Sequence, residues 1–226
     1  MKNGRHAGFS LLELMVSLAI LSIVVAVVVE GITTMQARNA VETNKLDLTQ
    51  QTREFMDQIV SDLDQAGFPG LNMFDPATLN PAAGGNPICT QNNNVACGFI
   101  SVSTSAIQFE GDVDGTGVSE VYIQLNQPAG GCPCTITRGT VLKSVGGIPP
   151  FYTQVDSVMN TVVFTAYASD GSLIALPANH ANSKLGQIAA VGITLYVKSA
   201  QADSKTGQYP TVTMVSTAKV SNIQSL

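Results

Sequence analysis

One carboxylate, Glu13, stands in the otherwise uncharged apolar run from Phe9 to Val29. Placing a charge there costs about 2.5–3.5 kcal/mol on membrane-insertion scales, and such residues are functional by default and work with a partner. Elsewhere, Glu110, Asp112 and Asp114 alternate ahead of Gly115, the hard-oxygen spacing of the first half of a calcium loop. The final loop position is Val121, with Glu120 one residue short. An acidic hairpin turn between a strand ending at Phe109 and one starting at Val118 is the favoured reading. Cys89, Cys97, Cys132 and Cys134 form two local pairs, and an even count suits a disulfide framework if this part of the chain is exported. His6 and His180 stand far apart, so no zinc-ligand spacing exists. No nucleophile elbow, phosphate loop or dinucleotide fingerprint occurs, which leaves catalysis without an anchor in the sequence.

The elements that position these residues follow from composition and periodicity. With 45% hydrophobic and 12% charged residues in 226, the chain can bury one core of ordinary size and carry an apolar extension. A net charge of −5 with no run of Lys or Arg argues against a nucleic-acid partner. Phe9 to Val29 covers about 31 Å as a helix, a bilayer's hydrocarbon thickness. Lys2 and Arg5 precede it and the next charge is Glu30, which predicts the amino terminus in the cytoplasm and the rest outside.

Beyond Glu30, apolar residues recur at helical spacing, and no proline occurs before Pro69. One helix from Phe9 to Ala66 is predicted, stopped by Gly67, Pro69 and Gly70. Phe55, Met56, Ile59, Val60 and Leu63 form its core-facing stripe, and Gly31 is the weak point at which it could bend. Residues 67–94, rich in Pro, Gly and Asn, read as a long connection. Strands are predicted at Phe99–Phe109, Val118–Leu125, Thr135–Val145, Val158–Tyr167, Ile188–Lys198 and Thr211–Val220. The organisation is therefore α+β: a leader at 1–8, a membrane helix at 9–30, its amphipathic continuation at 31–66 and a β-rich head at 67–226, with an antiparallel sheet packed on the helix.

Gly8-Phe9-Ser10-Leu11-Leu12-Glu13, followed by Leu14-Met15-Val16, resembles the prepilin signature of type IV pilins and type II secretion pseudopilins. The resemblance implies cleavage between Gly8 and Phe9 by a prepilin peptidase and methylation of the new Phe9 amine. It also implies insertion in the inner membrane and assembly through the N-terminal helix with other pilins or pseudopilins, aided by assembly platform proteins. The Phe9 ammonium would itself be stranded in hydrocarbon, and the resemblance suggests that Glu13 pairs with the Phe9 amine of a neighbouring subunit, a registry device. Glu30-Gly31 stands where pilins often carry a helix-breaking proline. Along the head, the order DLDQAGF, IQFEGDVDGTGVSEVYIQL, VVFTAYASDGSLI and IAAVGITLYVKS is similar to the PilW type of minor pilin, and J-type minor pseudopilins share a similar plan. Expected functions are pilus assembly with adhesion, twitching motility or DNA uptake, or else a type II secretion tip. A membrane-anchored enzyme is the remote alternative.

Export places the cysteines in an oxidising compartment and favours structural bonds over a redox role. One residue between Cys132 and Cys134 would strain a mutual bond, Cys89–Cys97 is a reasonable local pair, and cross pairing stays open. Two intramolecular disulfides are expected, at least one of them holding the segment around Cys89.

Overall fold

With no proline before Pro69, nothing interrupts the backbone ladder of the first helix. The structure, a computed structural model, describes residues 10–79, 88–182, 184–203 and 206–221. In it α1 runs from Leu11 to Asp64 over 54 residues, about 81 Å. It passes through Gly31 unbroken. Its two halves differ in what they touch. Leu11 to Glu30 is exposed throughout, whereas Phe55, Met56, Ile59 and Leu63 are buried and Val60 packs beside them. Burying four such side chains stabilises the head by about 1.5–3 kcal/mol each, so packing on the sheet fixes only the later half of the helix.

Among the described residues the head is a ten-stranded antiparallel sheet. Its strands are β1 (Phe99–Val102), β2 (Ala106–Gly111), β3 (Ser119–Asn126), β4 (Cys134–Leu142), β5 (Tyr152–Val158), β6 (Phe164–Tyr167), β7 (Leu173–Ile174), β8 (Ala178–Asn179), β9 (Ala190–Lys198) and β10 (Thr211–Lys219). The order is β7-β6-β9-β5-β4-β3-β2-β1-β8, with β10 beside β9. Alternation builds the core: Val121 and Ile123 of β3 and Val191, Ile193, Leu195 and Val197 of β9 face the helix stripe together with Phe99, Phe109 and Ile136. The opposite face is covered at β4, where a side chain on Gly139 would meet Pro149 at 2.8 Å.

Two predicted strands are each divided. Phe99–Phe109 becomes the hairpin of β1 and β2, because the Ser103 hydroxyl accepts from the amides of Ser105 and Ala106 at 3.3 and 2.9 Å and closes a turn. Short hydroxyl side chains compete with the ladder in this way. Val158–Tyr167 contains the end of β5 and all of β6, which lie in tandem along β9. Asn160 stands in for backbone at the break: its amide donates to the Val162 and Thr194 carbonyls at 2.6 and 2.8 Å, and its oxygen accepts from the Tyr196 amide at 2.8 Å. Most of β5, together with β7 and β8, lies outside the predicted strands. The start of β5, Tyr152-Thr153-Gln154, is exposed or half-buried and lacks the apolar alternation that marks a strand.

The long connection is also more structured than its composition suggests. It forms 3-10 turns at Leu71–Met73, Pro76–Thr78 and Cys89–Gln91. Leu79, Cys89, Val95 and Cys97 build a small cluster of their own, with Leu71 and Phe74 against it.

Candidate functional site

The first half of α1 presents a surface with no partner in the chain. Over its most apolar 18-residue window the mean hydropathy is 2.8, and none of that window is buried. By length and composition it is able to cross a membrane. Glu13 lies in its first turn, where its amide donates to the Ser10 carbonyl at 3.0 Å and its carbonyl accepts from the Ser17 hydroxyl at 2.8 Å. Both contacts use the Glu13 backbone. Among the described residues no cation approaches its carboxylate. Gly8 and Phe9, the expected cleavage and methylation positions, lie outside the described residues.

At the far end of α1, about 81 Å from its start, the chain is locked by a buried ion pair that sequence reasoning did not find. Lys143, just past β4, donates from Nζ to Glu110 Oε2 at 2.7 Å, to the Cys89 carbonyl at 2.9 Å and to the Val95 carbonyl at 2.8 Å. Both side chains of the pair are 7% exposed. Glu110 Oε2 also accepts from the Cys97 amide at 2.8 Å. These contacts satisfy the ammonium with three acceptors, which is what a buried charge requires. Cys89 and Cys97 are joined, with Cα atoms 5.2 Å apart, so the segment 89–97 is held covalently and by Lys143 at once. Nothing local announces Lys143: its partners lie 33 to 54 residues earlier in the chain.

The carboxylates singled out as calcium candidates are drawn in different directions. Glu110 turns inward to Lys143. Asp112 Oδ1 accepts from the Gly117 amide at 3.1 Å, and Asp114 Oδ1 accepts from the Thr116 hydroxyl at 2.6 Å and its amide at 3.0 Å. The Thr116 hydroxyl, and then its amide, hold the Asp114 carboxyl below the usual carboxylate range. These bonds close the turn between β2 and β3, which fits the acidic hairpin. Among the described residues no three His, Cys, Asp or Glu side chains gather as a metal site.

Cys132 and Cys134 are joined to each other, with Cα atoms 4.4 Å apart. That separation is at the short end of what a disulfide spans. The expectation that one intervening residue disfavours this bond therefore gives way, and no cross pairing links the connection to the sheet. A second unforeseen ion pair ties helix to sheet: Arg138 of β4 donates from Nε to Asp62 Oδ2 of α1 at 2.7 Å. Burial pushes the Asp62 carboxyl up, and the hydrogen bond and charge of Arg138 pull it only partly back. On the outer face, Tyr122 donates to Glu120 Oε2 at 2.6 Å. Burial first, then that bond, push the Tyr122 hydroxyl up to about 12.

An exposed apolar half-helix with one embedded carboxylate thus stands ahead of a folded head. Residues 3–29 match the prokaryotic N-terminal methylation motif. At its N-terminus the chain is type IV prepilin-like. The prepilin-like segment covers Glu13 and the exposed apolar half of α1, and its position suggests inner-membrane anchoring before assembly. A long N-terminal helix packed by its later half on an antiparallel sheet is the pilin-like α+β plan. No curated protein matches the chain.

Proposed function

We propose that this prepilin-like chain is a minor pilin of a type IV pilus, cleaved between Gly8 and Phe9, methylated on the Phe9 amine and inserted into the filament through the first half of α1. The observation that carries the reading is the pairing of a wholly exposed apolar half-helix, able to span a bilayer, with a single carboxylate at Glu13 that has no cation among the described residues of its own chain. Hydrocarbon penalises both an unpaired carboxylate and an unpaired ammonium, so a filament in which Glu13 meets a neighbour's Phe9 amine relieves both costs and sets the axial register. The head stays outside the cytoplasm, where the two disulfides are compatible with the compartment.

Intact mass of the protein from its own host tests the processing: a chain starting at methylated Phe9 is expected, and one starting at Met1 or beyond Val29 overturns the reading. Deleting the gene should reduce surface piliation while export of folded enzymes continues. Loss of enzyme secretion with intact pili instead assigns the chain to a type II secretion pseudopilus.

A further inference from the structure

Among the described residues β10 is the long uncovered edge of the sheet: it pairs with β9 from Thr211 to Lys219 and with nothing on its other side. The ladder fixes where its backbone points. The Ser199 amide donates to the Pro210 carbonyl and the Val220 amide to the Ala189 carbonyl. In the alternating antiparallel pattern, Val212, Met214, Ser216 and Ala218 therefore turn their backbone groups toward β9, and Thr211, Thr213, Val215, Thr217 and Lys219 turn theirs outward. No described residue donates to or accepts from those outward groups. Long edges are ordinarily guarded by a proline, a bulge or charges along the strand. β10 has an unshifted register and no proline, its one charge is Lys219 at the end, and Val215 at its centre is 71% exposed.

We propose that the outward edge of β10 receives an extended segment of a second, different polypeptide, which joins the sheet as a further strand alongside α1. Main-chain bonds supply the affinity in strand addition, and alternate side chains supply the selectivity. The selecting surface is beside the edge. Asp57, Val60, Ser61 and Asp64, one stripe of α1, enclose with Ser216 and Lys219 a cleft of about 340 Å³. Every second side chain of an incoming strand faces this cleft, and the exposed Asp57 carboxylate at its wall favours a basic side chain at the residue passing it.

Self-pairing is the obvious competitor, since an antiparallel β10–β10 pair centred on Val215 would satisfy all five outward residues and set Lys219 against Thr211. Its geometry conflicts with anchoring. Lys198 and Ser199, where the chain leaves β9, lie beside Asn44–Glu54 of α1, whereas Ser216 and Lys219 lie beside residues 57–64. β10 therefore runs in the same sense as α1. A two-fold axis between two β10 strands would reverse one of the two helices, and both could not enter one membrane from the same side. This exclusion rests on the membrane-anchored reading.

The full-length chain is expressed in its host with p-benzoylphenylalanine at Thr213 or at Thr217, irradiated in intact cells, and both ends of each cross-link are mapped by mass spectrometry. The expected result is that both positions reach one contiguous segment of a different protein. Val215→Pro removes only an outward N–H, and Val215→Lys adds the missing guard charge. Each should cut the cross-link yield by about tenfold or more, while N-terminal processing and membrane insertion, measured on the same cells, stay unchanged. Cross-links to a second copy of this chain, no cross-link, or a yield unaffected by both variants would overturn the proposal. Failed processing or insertion of the parent chain would instead strike the prepilin reading.

Discussion

Lys143 holds three separate parts of the head at one buried point. Its ammonium joins β2, the end of β4 and the disulfide-closed segment, and it is enclosed with Glu110. Lys143→Met leaves the Glu110 carboxylate buried with one amide donor, and breaking a buried pair this way costs about 3–5 kcal/mol. Urea unfolding of the detergent-purified chain should show that loss, and adding Glu110→Gln should recover part of it. Asp62 behaves differently. Its folded pKa lies above the ordinary 3.8 because burial outweighs Arg138. The folded state binds this proton more readily than the unfolded one, so the group's contribution is fully present below 3.8 and is lost as pH rises through the folded value. Relative to an Asp62→Asn variant, the parent chain should become less stable as pH is raised across that window. Denaturation midpoints of the two proteins measured side by side check the sign.

Between residues and molecule, α1 divides into two working halves, because among the described residues it is the later half, from Leu48 to Leu63, that finds apolar partners. Glu13→Val removes a costly carboxylate from the exposed half. Fractionation should find membrane insertion equal or improved, while recovery of the variant in sheared filaments should fall well below the parent's. Normal recovery would defeat the pairing with a neighbour's Phe9 amine. In the sheet, β4 admits the segment Pro149–Phe151 across its outer face only because Gly139 has no side chain, since a Cβ there would meet the Pro150 carbonyl at 3.0 Å and Phe151 at 3.1 Å. Forcing extra carbon into such a contact costs about 1–3 kcal/mol. Gly139→Val should destabilise the head by that amount and so lower its melting midpoint, while Gly31→Val, at a position where a Cβ meets nothing within 4 Å, should leave the head's transition in place.

For the molecule as a whole, both disulfides close small loops, with sequence separations of 8 and 2. In the chain-entropy model each should therefore contribute less than the roughly 3 kcal/mol of a 15-residue loop. Reduction of the full chain should leave far-UV circular dichroism almost unchanged, with limited proteolysis of the region around residues 88–97 modest. Reduction of the Lys143→Met variant should expose that region far more than the two changes would separately, because covalent bond and ammonium hold the same backbone and neighbours of this kind do not add. The prepilin-like character is legible locally, since an apolar run, one carboxylate and the signature around Gly8 and Phe9 are short-range features, and the stripe Phe55 to Leu63 declares its buried face through periodicity alone. The later strands β9 and β10 were legible for the same reason, since alternation is a short-range pattern. Long-range packing sets the pairing of Lys143 with Glu110 and of Asp62 with Arg138, the tandem of β5 and β6 along β9, and the edge position of β10. Each of these depends on segments tens of residues apart meeting at a register that packing of the whole sheet selects, and no local pattern records which distant partner a buried charge or a strand edge will meet.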